Sequence, residues 1–270
     1  MDRFQVEQTL TLDALKTEIF GHWPDETWHE VLRLVAGRLA PKFVKEILDW
    51  LLQQQDPNQS CNHIFLAARC VSEVRNRGEL GSTEESVMQC TRDLTNFGLG
   101  SSSPPMTLEE VTQVKAVLEQ ALALVADVWK DNKETLPWLK ELAQSRQNED
   151  VRSNAVKLLA LDWKDDPDTQ MILKVLTQSD VNWTVRMYAL WGLSLREDRT
   201  ATLKILKECA QSDEAWVVRL CAVGILSEFV EGNPDILAIL KERAQFDEDV
   251  NVRKFSVERL AHAWKPIQRF

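Results

Sequence analysis

Histidine, the side chain that most often serves as general base or metal ligand, is scarce in this sequence, with four in 270 residues. His22 and His29 are the only close pair, and no His-Glu-x-x-His pattern accompanies them. We expect capping and surface roles for this pair rather than a zinc site. No Ser/His/Asp or Cys/His arrangement can be assigned either. The sequence therefore predicts no enzyme, no catalytic residue, no metal site and no cofactor.

Two further patterns fall short of a ligand site. Asp165, Asp166 and Asp168 form an acidic turn, but the glycine and the distal glutamate of a calcium loop are missing. No G-x-x-x-x-G-K-[ST] occurs anywhere, so the backbone cradle that holds nucleotide phosphates is not encoded. We therefore expect neither calcium nor ATP to bind.

The charge of the chain disfavours two classes of partner. Its net charge is −10 at pH 7, and it has no basic block. Nucleic acid and anionic membrane are therefore not expected as partners. Four basic residues, at corresponding positions of two consecutive segments of the chain, are more typical of a solvated outer face than of a nucleic-acid patch. They are Lys204, Lys207, Lys241 and Arg243.

Cysteine usage and hydropathy predict a cytoplasmic protein. The five cysteines are odd in number and show no Cys-x-x-Cys spacing, which favours free thiols in a reducing compartment. There is no apolar run of about 18 residues to span a membrane. The first ten residues also lack the pattern of a signal peptide.

One group of large apolar residues is a candidate binding site. Trp183, Met187 and Trp191 follow one another at i, i+4 and i+8, and Trp216 and Leu220 stand at equivalent positions further along the chain. Tryptophan and methionine are favoured interface anchors, so we predict a partly exposed groove that binds a partner. Burial of these side chains by adjacent helices is the alternative.

These residues belong to a repeated pattern that spans the second half of the chain. Val-Arg occurs four times, with its arginines 34, 33 and 34 residues apart, and Leu-Lys stands twelve residues before each valine. A fixed period at two positions is the signature of a solenoid of stacked units. The apolar offsets within each unit are helical, so each unit is predicted to be a pair of helices. Only 9 Gly and 9 Pro support an all-α chain.

The repeated charges are predicted to hold the stack together. An aspartate returns between the two helices of three units, where it can cap the second helix or pair with an arginine of a neighbouring unit. A row of phosphate-binding arginines is the alternative. In the first of the four repeats, Arg146 occupies the position of this aspartate. The predicted structural ladder consists of Arg152, Arg186, Arg219, Arg253, Asp180, Asp213 and Asp247.

The turn aspartate followed by Val-Arg resembles short HEAT repeats. The period also suits tetratricopeptide and ankyrin arrays, but neither W-x-x-L-G-x-x-Y nor T-P-L-H-x-A is present. The resemblance covers roughly the second half of the chain. It implies a right-handed α-solenoid whose second helices present a concave binding surface.

A second resemblance concerns the N-terminal part. The strings HWPDETWHEVLRLVAGRLAPKFVKEILDWLL and FLAARCVSEVRNRG are similar to the helical region after the nucleotide-binding module of bacterial NACHT-type (STAND) signalling NTPases. This similarity covers about residues 5 to 80. In that family such a segment leads into C-terminal HEAT repeats, so the resemblance implies the sensor part of an NTPase system without its ATPase.

Four regions are predicted along the chain. A helical region of about five helices spans residues 1–97, and a Gly/Ser/Pro linker spans 98–106. Thr107-Leu-Glu-Glu is a capping box that opens a bridging helix over 107–131. The four HEAT-like repeats occupy 132–270.

These observations predict a non-enzymatic scaffold that binds a protein partner or senses a ligand within a NACHT-type system. Two alternatives come from other classes of protein. Short HEAT repeats also resemble those of phycobilin lyases and related chromophore-handling proteins, which a tryptophan-rich groove would suit. They resemble those of HEAT-like DNA glycosylases as well, although such a DNA-binding protein would carry a basic concave face.

Overall fold

The computed structural model describes most of the chain, namely residues 11–56, 59–96, 107–145, 148–195 and 200–264. All secondary structure in these ranges is helical, which confirms the all-α prediction. Contacts divide the chain into two compact units, Met1–Thr135 and Leu136–Phe270. The predicted linker at 98–106 and the turn residue Arg146 lie outside the described residues.

The described residues of the first unit form six α-helices: α1 (Leu12–Ala14), α2 (His29–Ala36), α3 (Pro41–Leu52), α4 (Asn62–Glu73), α5 (Ser82–Asp93) and α6 (Leu108–Val128). Helix α4 is the centre of this unit and packs against α2, α3, α5 and α6. Phe65 on α4 is almost completely buried, and so is Phe20 from the turns before α2. The hydrophobic core of the first unit is therefore built around α4.

Helix α6, the predicted bridging helix, lies in the first unit and packs against α4 and α5. Both bonds of its capping box are present. The Glu110 backbone N–H donates to Thr107 Oγ1 at 3.2 Å, and the Thr107 N–H donates to Glu110 Oε2 at 2.6 Å. Two of the unpaired donors at the helix start are satisfied in this way.

In the second unit, the residues that the structure describes form an array of four helix pairs: α7 (Thr135–Gln144) with α8 (Glu149–Asp162), α9 (Pro167–Ser179) with α10 (Trp183–Ser194), α11 (Thr200–Ser212) with α12 (Trp216–Leu226), and α13 (Pro234–Phe246) with α14 (Val250–Trp264). We number these pairs as repeats one to four. Each second helix packs on the second helix of the next repeat, from α8 to α10, α12 and α14. A continuous row of second helices therefore runs through the array.

The core of the array consists of the residues that recur in sequence. The leucine of each Leu-Lys pair, the valine of each Val-Arg pair and the small residue four positions after that valine are all buried. They are Leu139, Leu173, Leu206 and Leu240; Val151, Val185, Val218 and Val252; and Ala155, Ala189, Ala222 and Ser256. Small residues in this row let neighbouring helices approach closely, and close packing of this kind stabilises a solenoid repeat by repeat.

Candidate partner-binding site

The structure brings six of the seven predicted ladder residues together across the repeat boundaries. The seventh, Arg253, donates to the carbonyl oxygens of Asp247 and Glu248 in its own turn and forms no ion pair with a carboxylate of the described residues. Arg186 Nε donates to Asp213 Oδ2 at 2.9 Å, and its Nη2 donates to Oδ1 at 2.8 Å. Arg219 binds Asp247 with distances of 2.9 and 2.8 Å. Arg152 binds Asp180 with distances of 2.9 and 3.1 Å. Each pair is a two-pronged hydrogen bond between an arginine of one repeat and the turn aspartate of the next.

Each of these guanidinium groups also binds its own repeat. The Nη1 of Arg186 donates to the carbonyl oxygens of Asp180 and Val181, and that of Arg219 donates to those of Asp213 and Glu214. The arginine therefore links the turn of its own repeat to the turn of the following one.

The turn aspartates pair with arginine, as the sequence allowed, but they do not cap the second helix: the N-cap of α10 is Asn182 and that of α12 is Ala215. Besides pairing with arginine, each accepts a hydrogen bond from the backbone N–H two residues later. Asp180 Oδ1 accepts from Asn182 at 2.8 Å, Asp213 Oδ1 from Ala215 at 2.9 Å and Asp247 Oδ1 from Asp249 at 2.9 Å. These bonds shape the turn that starts the second helix.

The electrostatics of the ladder favour the charged pair. The hydrogen bond from Arg219 to Asp247 raises the pKa of Arg219, against the opposing effect of its burial. Burial by itself would raise the pKa of Asp247, but the hydrogen bonds from Arg219 and from the Asp249 backbone outweigh it and hold that pKa below its usual value. The hydrogen bond to Asp213 likewise raises the pKa of Arg186. These groups are therefore ionised at neutral pH.

The five residues of the predicted groove differ in exposure. Trp183 is 44% exposed and Trp216 is 41% exposed. Met187 and Leu220 are half-buried and pack against the hydrophobic cluster of the array. Trp191 is also partly buried. The exposed part of the groove is thus formed by Trp183 and Trp216, whereas the other three side chains are partly buried.

The two exposed tryptophans occupy the same place in adjacent repeats. Trp183 is the first residue of α10 and Trp216 the first residue of α12. The axes of packed helices are about 8–10 Å apart, so these helix starts are neighbours on one edge of the array. Val250 begins α14 and is 45% exposed, which extends the edge into the fourth repeat.

Two further exposed apolar residues on this edge were not found from the sequence. Val181, 87% exposed, follows the turn aspartate Asp180, and Phe246, 73% exposed, precedes Asp247. The sequence did contain an indication for Phe246. This large apolar residue stands where the two preceding repeats have a serine, Ser179 and Ser212. We call the surface formed by Val181, Trp183, Trp216, Phe246 and Val250 the turn-edge surface.

Acidic residues accompany this surface. Glu214 precedes Trp216 by two residues; its side chain is 82% exposed, and it also reaches Arg186 Nη2 at 3.2 Å. Glu248 is exposed in the next turn. The turn-edge surface therefore combines apolar side chains with negative charge.

The residues considered for metal or nucleophilic chemistry have structural contacts. His29 is buried, and its Nε2 lies 2.8 Å from the carbonyl oxygen of Trp23, whereas His22 stacks on Trp28. A surface role is therefore wrong for His29. Asp166 caps α9 by accepting from the Thr169 N–H at 2.7 Å. Within the part of the chain that the structure describes, no group of three or more His, Cys, Asp or Glu side chains is placed to hold a metal ion.

Two lysines of the Leu-Lys pairs also connect repeats. Lys140 in α7 binds Asp166 at 2.7 Å and Asp168 at 3.1 Å at the start of α9. Lys207 in α11 binds Asp235 at the start of α13 at 3.5 Å. Arg243 of the predicted outer face pairs with Glu242 and Asp247. In the acidic turn at 165–168, Asp166 and Asp168 are thus partners of Lys140.

The cysteines are free thiols with weak acidity. Burial raises the pKa of Cys70 and of Cys209 to about 12, and that of Cys61 and Cys221 to about 11. Since the thiolate is the nucleophile, these four residues are poorly reactive at neutral pH.

Comparison with known families agrees with this geometry. Two overlapping segments, residues 136–223 and 169–261, match the family of HEAT repeats. The region 136–261 is therefore a HEAT-repeat array. The match ends within α14 and does not extend to the first unit. No curated protein matches the chain. The resemblance of residues 5 to 80 to NACHT-type NTPases consequently stays a prediction.

HEAT repeats form extended surfaces on which other proteins bind, because each unit contacts only its neighbours and leaves its outer residues free.

A helix that could cross a membrane needs a long apolar run, and none of the helices in the described ranges has one.

Proposed function

We propose that this chain is a non-enzymatic scaffold that binds a protein partner through the turn-edge surface of its HEAT repeats. One observation carries the proposal. Trp183 and Trp216 begin the second helices of adjacent repeats and are 44% and 41% exposed. Soluble proteins seldom expose neighbouring large apolar side chains without a use, and tryptophan is a frequent centre of binding energy at interfaces.

The stability of the array does not explain these side chains. The stack is already held by the buried leucine, valine and small residues and by the three arginine–aspartate pairs. A tryptophan that begins a helix and faces solvent adds little to that packing. A partner that covers the indole rings would gain their burial instead.

The charged groups of the array favour binding over catalysis. Three arginines and three aspartates of the ladder are paired with each other, and burial raises the pKa of the thiols. The paired side chains connect the repeats, and the raised pKa of the thiols makes them poor nucleophiles.

We further propose that the scaffold serves as the sensor or regulatory part of a NACHT-type NTPase system. This proposal is supported by the order of the chain, in which the string at residues 22–52 precedes the HEAT array. Sequencing the neighbouring reading frames tests it. A P-loop module encoded directly upstream supports the proposal, and a metabolic operon without any NTPase contradicts it.

The binding surface can be tested by site-specific photo-crosslinking in cells. A photoreactive amino acid is placed in turn at Trp183, at Trp216 and at Met171, which is 67% exposed on the first helix of repeat two and serves as the matched control. We expect the same polypeptide to be captured from positions 183 and 216 but not from 171. Replacing the remaining tryptophan by alanine should abolish capture. Equal capture from all three positions, or from 171 alone, would contradict the proposed surface.

A further inference from the structure

The apolar side chains of the turn-edge surface recur with the period of the array. Trp183, Trp216 and Val250 begin the second helices of repeats two, three and four, and they are 44%, 41% and 45% exposed. Because α10 packs on α12 and α12 packs on α14, these side chains follow one another at the spacing of packed helices, about 8–10 Å. A ligand that contacts all three must therefore present an apolar group at the same interval.

A second row of positions on this surface carries negative charge. The residue directly after the turn aspartate is Glu214 in repeat three and Glu248 in repeat four. Both are exposed, and the side chain of Glu214 is 82% exposed although its Oε1 lies 3.2 Å from Arg186 Nη2. Glu248 also lies near the ladder, since its charge adds to the hydrogen bond with Asp247 that raises the pKa of Arg219. The two carboxylates are one repeat apart, as the apolar residues are.

The charges that these turns expose to solvent are mainly negative. The segments 178–184, 211–217 and 245–251 contain six aspartates and glutamates and no lysine, arginine or histidine. The ladder arginines that pair with the turn aspartates are 8%, 6% and 7% exposed. Arg253 is partly buried and donates to carbonyl oxygens of its own turn. A basic side chain of a ligand therefore finds carboxylates that still face solvent.

The interval between repeats selects one regular backbone for the ligand. In a β-strand, side chains on one face are about 6.6 Å apart. In an α-helix, neighbours on one face are about 5–6 Å apart, and two full turns span about 10.8 Å. A polyproline II helix has three residues per turn and a rise of about 3.1 Å, so side chains at i and i+3 share a face about 9 Å apart. Among these backbones, polyproline II matches the interval between packed helices.

We propose that the turn-edge surface binds a proline-rich, basic segment of a protein partner in the polyproline II conformation. The proposal rests on the proposed function, because it names the chemistry of the partner for the same surface. One face of the segment places proline rings on Trp183, Trp216 and Val250. Another face places lysine or arginine beside Glu214 and Glu248. A proline and a basic residue should therefore each recur at every third position of the segment.

The chemistry of both rows suits such a segment. A flat indole face covers a proline ring, which loses no side-chain rotamers on binding, and polyproline II is already populated in free proline-rich chains. Carboxylates add charge-assisted hydrogen bonds to lysine or arginine. Since Glu214 and Glu248 are exposed, salt screens their attraction for the ligand. Binding should therefore weaken as ionic strength rises.

Synthetic peptides test the proposal on the full chain. The probe is a fluorescently labelled peptide of four Pro-Pro-Arg triplets, which spans about 37 Å as a polyproline II helix and so covers the three helix starts. Four Pro-Pro-Glu triplets keep the backbone but reverse the charge. A third peptide has the composition of the probe with its arginines adjacent at one end. We expect saturable binding of the probe in fluorescence anisotropy at low salt, and binding about tenfold weaker or less for the other two.

Variants of the protein locate the site. Trp216→Ala should weaken binding of the probe about tenfold or more, because it removes the central ring of the row. Glu214→Gln combined with Glu248→Gln should weaken it several-fold at low salt and have little effect at high salt. Met171→Ala, on the first helix of repeat two, is the matched control and should leave binding unchanged. Circular dichroism melting shows whether each variant is folded.

Three results would overturn the proposal. They are the absence of saturable binding of the Pro-Pro-Arg peptide, equal binding of the Pro-Pro-Glu peptide, and binding that folded Trp216→Ala leaves unchanged. The photo-crosslinking described above separates these failures from a failure of the proposed function. A polypeptide captured from positions 183 and 216 that contains no proline-rich basic segment overturns this inference and leaves the scaffold in place. Equal capture from position 171 contradicts the binding surface itself.

Discussion

In the first three repeats, the arginine of the Val-Arg pair connects three segments of the chain through one side chain. Its Nη1 binds the turn before its own helix, and its Nε and Nη2 bind the aspartate of the next repeat. Since the guanidinium is planar and always charged, it can hold both sets of acceptors in fixed directions. Lysine has a single charged nitrogen and could not bind both sets of acceptors in these directions.

Arg186→Ala and Arg219→Ala should each destabilise the array by about 1 to 3 kcal/mol, because each removes the two-pronged charged donor of a nearly buried carboxylate. Thermal denaturation followed by circular dichroism measures the effect. Arg253→Ala serves as the matched control, since it removes an arginine at the equivalent position that pairs with no described carboxylate. Identical melting temperatures for all three variants and the unmodified chain would refute a structural role for the ladder.

Two tryptophans on the same helix should respond differently to a charge. Trp183 is 44% exposed, so Trp183→Glu should leave the melting temperature close to that of the unmodified chain. Trp191 is partly buried, so Trp191→Glu places a carboxylate against apolar neighbours and should lower stability by about 1 to 3 kcal/mol. Melting curves of the two variants provide the comparison. A larger loss for Trp183→Glu than for Trp191→Glu would mean that the exposed side chain is the one that stabilises the fold.

At the scale of helices, the array depends on how closely the second helices approach. Gly192 in α10 faces α8, and a Cβ atom built on it would lie 2.5 Å from the Cβ of Ala160 and 3.1 Å from Leu173 Cδ1. Atoms of side chains do not approach so closely. The contact between α8 and α10 therefore requires glycine at position 192.

Gly192→Ala should thus destabilise the array by about 1 to 3 kcal/mol, despite the better helix propensity of alanine, because the two helices must move apart. Gly224 is the matched control, since the nearest atom to its added Cβ is Phe255 Cε1 at 3.4 Å, an ordinary contact. In chemical denaturation, Gly224→Ala should change the free energy of unfolding much less than Gly192→Ala does. Combining Gly192→Ala with Ala160→Gly should restore part of the loss, and failure to do so would contradict this explanation.

The Leu-Lys pairs add a second connection between repeats on the first helices. Lys140 and Lys207 each bind an aspartate at the start of the next first helix, so both helices of a repeat contact the following repeat through charge. Lys207 is only partly buried, and screening by solvent makes its pair with Asp235 weaker than the arginine pairs. The arginine ladder is therefore the main electrostatic connection of the array.

At the scale of the whole molecule, the chain combines a helical unit centred on α4 with a HEAT-repeat array. The four repeats follow one plan, but their outer residues differ. Repeats two and three expose tryptophans at the start of their second helices, whereas repeat one has Glu149 there. In a solenoid the recurring residues maintain the stack, and such differences determine what each repeat binds.

The isolated chain is expected neither to bind nor to hydrolyse ATP, because its sequence contains no phosphate cradle with the required lysine and hydroxyl residues. Isothermal titration calorimetry with Mg-ATP measures binding, and phosphate release measures hydrolysis. An unrelated P-loop ATPase, measured in the same two assays, is the positive control. Saturable binding in the micromolar range would disprove this expectation.

The sequence by itself determined the helical class, the period of the array and six of the seven predicted ladder residues, all except Arg253. A solenoid places the same residue in the same environment in every unit, so repetition at positions such as Val185 and Val218 reports burial directly. The repeated arginines and turn aspartates could be recognised for the same reason. The capping box at Thr107 was recognisable because its two bonds connect residues only three positions apart.

Only the tertiary structure decided which of the non-recurring residues are exposed. Trp183 and Trp191 lie two helical turns apart, and their different burial depends on what packs beside each position rather than on helical spacing. The same holds for Val257, whose sequence equivalents are fully buried because a following repeat covers them. Local periodicity specifies how a side chain is directed on its own helix. Whether another helix covers it depends on contacts between residues far apart in the chain, and these exist only in the folded array.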